Sequence, residues 1–356
     1  MKDGVILAID QAGPMQRLTA EWEPQAAVML TWPHPGTDWA RQLDAVEHVY
    51  QRLVQLISRD QEVLIVCRDA PHRTAIQAQL PASSVARIRF AIAPSNDTWA
   101  RDHGPISVID DASGQRRLID FRFNGWGGKY PAALDDRITA TVFAGDERFE
   151  TSPLVLEGGA IESDGAGSLL AVRRTLVDPQ RNPGWSQRAI EDELRARLGV
   201  ERFLWLEHGQ LSGDDTDGHI DTLARFCDAQ TIGYAACSDP EDADHRALEQ
   251  LAAELRRLRQ RNGEPYRLVA LPQPAPIHDE DGQRLPAGYA NFLITNRSVL
   301  VPVYADPADA IACERLATCF PGRRIEPVDC RPLIRQGGSL HCITMQLAVN
   351  HSPCSQ

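Results

Sequence analysis

The chain has 356 residues, 43% of them apolar and 24% charged, with a formal net charge of −12. That length holds one large domain or two ordinary ones, with ample core for either. The acidic balance, with no Lys/Arg run that suggests such a surface, disfavours nucleic acid and anionic membrane as partners, and suits a cationic small molecule slightly better than an anionic one.

The opening MKDGVILAID lacks the basic n-region and long apolar core of a signal peptide. No segment approaches the roughly 18 apolar residues of a membrane span. Eight cysteines, at 67, 227, 237, 313, 319, 330, 342 and 354, form no CxxC pair. Reduced thiols in a cytoplasm are expected, most of them serving as small core hydrophobes.

A helical pattern opens near Asp38, where Leu43, Val46, Tyr50, Leu53 and Ile57 recur at spacings of three and four. EVLIVC (62–67) reads as a buried strand, a short helix follows, and RIRFAIAP (87–94) is another strand. The polar turn SNDTWARDHGP leads into two strands, ISVID and RRLIDFRF. The same order recurs. A helix is expected over 133–144, then PLVLEGG and a hairpin through SDGAG. SQRAIEDELRARLG (186–199) is a helix with Ser at its N-cap, followed by RFLWL, a polar loop, and HIDTLARF paired with TIGYAA. EDADHRALEQLAAELRRLRQR is the next helix, then YRLVALP, a Pro-rich loop, and YANFLITN paired with SVLVPVY. DPADAIACERLATCF, RRIEPVD and GGSLHCITMQL close the chain. One strand is missing from that last round, and AAVMLTW (26–32) is its natural partner.

Five such rounds, the last closed by the N-terminal strand, suggest a single domain over 1–356 built as a ring of ββαβ-like modules, which protects sheet edges. A doubly wound α/β sheet is the competitor, but it needs no hairpin after each loop.

In four of the five rounds the loop after the first strand carries an acid, a base or a thiol: Asp102, Glu157, His219 with Asp221, and Cys342. Each alone has a bland reading as an ion pair, a self-satisfied pair or packing. If the modules surround one axis, equivalent loops converge and these side chains face one pocket. His219 and Asp221, two apart, are expected on one strand face. Cys342 is expected on the strand after the glycine pair, with His341 pointing to the opposite face as a structural residue.

EWEPQ, NDTWARDHGP, FNGWGG, LEGG, RNPG, DDTDGHID, YANFLI and GGSLHCIT, in this order from residue 21 to 345, resemble the agmatine deiminases of the guanidine-modifying (pentein) superfamily, related to arginine deiminases and amidinotransferases. The resemblance implies a five-bladed α/β propeller. It places the catalytic thiol at Cys342, the acid/base at His219, and guanidinium-holding carboxylates at Asp102, Glu157 and Asp221. It further implies aromatic packing of the substrate's alkyl chain by Trp99 and Trp126, with Trp22 at the pocket mouth. Two departures from the family pattern, Ser339 for Asn and Asp217 for Asn, fall outside the five catalytic positions.

The chemistry needs these residue types. A guanidinium stays charged, and planar carboxylates match its N–H fork while compensating that charge. A thiolate then attacks the central carbon better than a Ser hydroxyl near neutral pH. The expected reaction turns agmatine into N-carbamoylputrescine and ammonia through an amidino-thioether on Cys342, with no metal or organic cofactor. Open alternatives are another guanidine (peptidyl-arginine, arginine or a longer guanidino-alkylamine) and a non-catalytic guanidine or polyamine binder. A homo-oligomer is left open. Arg101 reads as support for its loop rather than as a partner for a substrate carboxylate.

Overall fold

One pairing rule runs through every sheet. The computed structural model describes residues 16–82 and 84–350, and the strands among them form five separate sheets, none closed on itself. Each contains an antiparallel pair extended by a parallel strand. Glu162–Ser163 and Ser168–Val172 pair antiparallel, and Arg202–Leu206 adds in parallel. Ala224–Asp228, Thr231–Ala236 and Arg267–Pro272 repeat this, as do Leu293–Ile294, Ser298–Val303 and Arg324–Asp329. Ile106–Asp110, Arg116–Arg122 and Phe149–Val155 form the same unit, with Gln16–Leu18 added antiparallel at its edge. The last sheet joins the two ends of the chain. Thr344–Ala348 runs antiparallel to Gln25–Thr31, with Met345 opposite Met29, and Glu62–Cys67 and Ile88–Ile92 follow in parallel. The AAVMLTW segment therefore partners the final strand, as its pattern suggested.

Parallel neighbours need a crossover, and helices supply it. Leu43–Ile57 buries Val46, Val49, Tyr50, Leu53, Val54, Leu56 and Ile57 on the face that meets the sheet. Gln187–Leu198 starts where the Ser186 hydroxyl accepts the Ala189 N–H at 3.2 Å. It ends at Gly199, whose φ of 64° and contact with the Gln16 carbonyl leave no room for a Cβ. Glu62–Cys67 is buried at all but its first residue, the continuous apolar run of a strand covered on both faces.

Two helices are shorter than expected. The 133–144 segment becomes a 3₁₀ turn, Asp135–Arg137, and a helix, Ile138–Phe143. Asp135 spends its carboxylate on the backbone N–H groups of Asn96 and Asp97, bracing a polar loop. His245–Leu255 stops early because no apolar face continues through the arginine-rich stretch after it.

The five connections that pass from one sheet to the next matter most for function. They link Ile88–Ile92 to Ile106–Asp110, Phe149–Val155 to Glu162–Ser163, Arg202–Leu206 to Ala224–Asp228, Arg267–Pro272 to Leu293–Ile294, and Arg324–Asp329 to Thr344–Ala348. Among the described residues, no helix is long and apolar enough to cross a membrane. The readings of segment 1–10 and of Cys354 lie outside the described residues.

Candidate active site

The first crossing carries Trp99 and Asp102 on a short helical turn, Ala100–His103. Asp97 fixes its entry by accepting the indole N–H groups of Trp39 and Trp99, each at 3.0 Å. Burial and the nearby Asp38 raise the Asp97 pKa to about 6. Asp102 is itself buried, and its two oxygens accept the Gly159 N–H at 3.2 Å and the Trp126 indole N–H at 3.0 Å. Trp126 sits in a left-handed conformation, φ 55°, within the FNGWGG loop. Burial, with Asp221 and Glu157 nearby, lifts the Asp102 pKa to about 6 against the opposing pull of His219.

The second crossing carries Glu157, 1% exposed. Both of its oxygens accept from Arg181 Nε, at 3.0 and 2.8 Å. Arg181 also donates to Asp178, Asp217 and the Thr216 carbonyl. Burial works against ionisation of Glu157, but His219 and Arg181 hold it below the usual carboxylate range. His219, on the third crossing, brings Nε2 to 3.2 Å from Glu157 and Nδ1 to 3.7 Å from Asp102. Burial alone would lower its pKa; the Asp102 and Glu157 charges outweigh it and raise it to about 9. Gly159 packs among these groups. A Cβ there would stand 2.6 Å from His219 Nδ1, 3.0 Å from Asp102 and 3.2 Å from Asp221, so only glycine allows the approach.

The expected strand pairing of His219 and Asp221 is corrected. Ile220–Thr222 is a 3₁₀ turn and the strand starts at Ala224. Likewise Cys342 precedes its strand, which starts at Thr344. It lies on a turn whose entry, Gly337, has φ 82°, and whose carbonyl at Cys342 accepts the Arg101 N–H at 3.0 Å. Gly338 lies against the Trp99 ring, where a Cβ would stand 2.2 Å from it. The Cys342 sulfur is 3.9 Å from Asp221 Oδ2 and 3.5 Å from Asn291 Oδ1. Burial, then Asp221 and Asp102, push the thiol pKa well above its ordinary value.

Cys342, Asp102, Trp99 and Trp126 line one cavity of about 470 Å³. Its walls and rim add Asp38, Asp97, Asp214, Asp215 and Asp279, together with Arg284 and Arg335. Glu157, His219 and Asp221 are buried around Asp102 and Cys342. Trp22 is not brought to the cavity. It is partly buried against the apolar core, and its neighbour Glu21 is the EWEP residue that reaches the site's underside. Arg101 is buried among His341, Met345 and Gln346, away from the cavity.

Sequence reading missed Asn291 and Arg181. Asn291 fills the fourth crossing, where no titratable group drew notice, although YANF occupies the equivalent position. Arg181, in RNPG, looks like a loop residue until its buried partners are known. His341 was read as structural and facing away; in fact its ring contacts Asp221 Oδ2 at 2.8 Å. No group of three or more His, Cys, Asp or Glu suited to a metal occurs among the described residues.

The family model described as Porphyromonas-type peptidyl-arginine deiminase matches residues 17–348. The agmatine deiminase of Stutzerimonas stutzeri is 32% identical over 353 residues, covering 92% of this chain and 94% of that one. The chain belongs to the agmatine deiminase family. Among solved structures, a Cys-to-Ser variant of C. jejuni agmatine deiminase with substrate bound superposes with a TM-score of 0.86, at 33% identity, over 94% of this chain and 97% of that one. A Porphyromonas gingivalis protein provisionally named an arginine deiminase reaches 47% identity and a TM-score of 0.88, over 93% and 98%. The family match spans all five sheets and every crossing that carries a site residue.

Proposed function

We propose that this chain hydrolyses the guanidinium group of agmatine, giving N-carbamoylputrescine and ammonia. What carries this reading is the meeting of a thiol, carboxylates and indoles in one acid-rimmed cavity, with an imidazole buried behind them. Asp102, Glu157 and Asp221 compensate and orient the cation. Cys342 gives its proton up to solvent when the cation arrives, because the new positive charge offsets the carboxylates that hold the thiol protonated. Sulfur attacks the central carbon, and His219 gives a proton to the departing ammonia, leaving an amidino-thioether. His219 then takes a proton from water, whose oxygen adds to that carbon. Collapse breaks the C–S bond, the new hydroxyl proton returns to the sulfur, and the ureido product leaves. Asp221 also bears on the protonation of His219.

The rim argues for a second cation on the substrate. Five aspartates line the cavity outside Asp102, while Arg284 is paired with Asp242 and Asp244. A primary amine at the far end of an alkyl chain, between Trp99 and Trp126, suits that field. One observation favours a second reading: Arg335 also lines the cavity and is exposed, where it could meet the carboxylate of free arginine. Rates on agmatine, arginine and an arginyl peptide, in the wild type and in Arg335→Ala, separate the two. Faster turnover of arginine than of agmatine, lost in the variant, defeats the agmatine reading. Ammonia release that persists in Cys342→Ser removes the covalent mechanism; release absent even from the wild type leaves a guanidine binder.

We take 1–356 as one catalytic unit, with the five sheets as blades of a propeller around the site and the seven described free thiols held reduced in a cytoplasm. The reaction as written calls for no cofactor.

A further inference from the structure

The side chain next to the nucleophile has no part in the chemistry above, yet it is bonded at both ends. His341 is 1% exposed. Its Nδ1 is 2.8 Å from Asp221 Oδ2, and its Nε2 is 2.7 Å from Glu21 Oε2. Glu21 is anchored in turn: its Oε2 accepts from Arg225 Nη2 at 2.6 Å, and its Oε1 accepts the Ile294 N–H at 2.7 Å. Arg225 is held by Glu162 and the Phe292 carbonyl. The third crossing and the N-terminal segment thus meet at one imidazole on the fifth. Asn291 completes the mount by accepting the His341 backbone N–H at 2.9 Å through the same Oδ1 that faces the thiol.

The other end of this chain explains its use. Asp221 is fully buried, and its Oδ1 has no hydrogen-bond partner among the described residues. An unpartnered buried carboxylate oxygen is costly, and beside a nucleophile a ligand that supplies the donor accounts for it. Oδ2, taken by His341, cannot rotate away without breaking that bond, which leaves Oδ1 as the oxygen for a substrate N–H.

We propose that His341 is a positioning residue: its Nδ1–H, braced by Glu21, clamps one oxygen of Asp221 so that the other is presented, ionised, to the guanidinium beside Cys342. This rests on the reading of Asp221 as a substrate-holding carboxylate. The charged groups around Asp221 are His341, His219, Arg225, Arg101 and Asp102, with the Cys342 thiol beside them; those around His341 are Asp221, Glu21, Arg101 and Arg225. Burial opposes the ionised form of Asp221, and the His341 hydrogen bond heads the interactions that keep its pKa low. Removing that donor therefore raises the Asp221 pKa.

Two near-isosteric variants divide the ring's two functions. In His341→Asn the amide N–H can stand where Nδ1–H stands and keep the bond to Asp221. In His341→Gln it stands nearer Nε2 and keeps only Glu21. The expected result is that His341→Gln loses about 100-fold in kcat/KM for agmatine. His341→Asn, which keeps the bond to Asp221, should retain most activity. Equal damage in both variants, or a His341→Gln enzyme with wild-type rates, overturns the proposal. A second measurement needs neither variant to fold: the wild type should give a downfield imidazole N–H proton resonance that moves upfield in Asp221→Asn. A resonance unchanged by that substitution also overturns it. Because this signal is read without turnover, it stands apart from the substrate assignment, which fails separately if wild-type enzyme releases no ammonia from agmatine.

Discussion

The oxygens nearest the Cys342 sulfur, on Asp221 and Asn291, are acceptors, so the resting enzyme holds a thiol. Activity then depends on two neighbours whose charges are displaced in opposite senses of use. Asp102 must be ionised to hold the cation, and its pKa is raised to about 6. His219 must be protonated to deliver a proton to ammonia, and its pKa is raised to about 9. For agmatine, kcat/KM should rise with pH through about 6, as Asp102 ionises, and fall through about 9, as His219 loses its proton. A falling limb at or below the ordinary histidine range would contradict the charges assigned here. At this scale the titratable residues were legible, since acids, a base and a thiol recur at matching places in the chain. Asn291 was not, because a neutral amide offers no charge to notice, and its value lies in bridging a backbone N–H and the thiol.

The crossings between sheets do the positioning, and each is held by buried polar contacts rather than by regular structure. Arg181 shows the cost of such a design. Its side chain and that of Glu157 are each 1% exposed, and the guanidinium also serves Asp178 and Asp217. Arg181→Met strands these carboxylates, and a buried pair broken on one side costs about 3–5 kcal/mol. The expected outcome is a clear fall in the denaturation midpoint together with loss of activity as Glu157 releases His219; a variant of wild-type stability would refute the ion-pair account. Strands and helices were readable from apolar period because packing imposes it. The site turns misled in a specific way: HCITMQL and HIDTLARF alternate like strands, yet the catalytic residues stand just before the strands begin. Alternation records which side is buried, and a buried turn beside a strand shares that record.

At the scale of the whole molecule, the N-terminal strand closes against the last one and brings Glu21 beneath Asp221 and Cys342. That closure was foreseen from the missing strand of the final round. The gathering of Asp38, Asp97, Asp214, Asp215 and Asp279 on one rim was not, because they come from different rounds and become neighbours only in three dimensions. The net charge of −12 gave the sign of the preferred partner and not the place where it binds. The Trp22 expectation failed for the same reason: its place in the chain says nothing about which face of the core its ring meets.

The most direct measurement is rapid acid quenching of wild-type enzyme mixed with agmatine, followed by mass analysis of the peptide that carries Cys342. The account predicts a transient addition equal to agmatine less ammonia, confined to that peptide and absent from Cys342→Ser. Steady turnover with no adduct on Cys342, or with the adduct on another thiol, would contradict it.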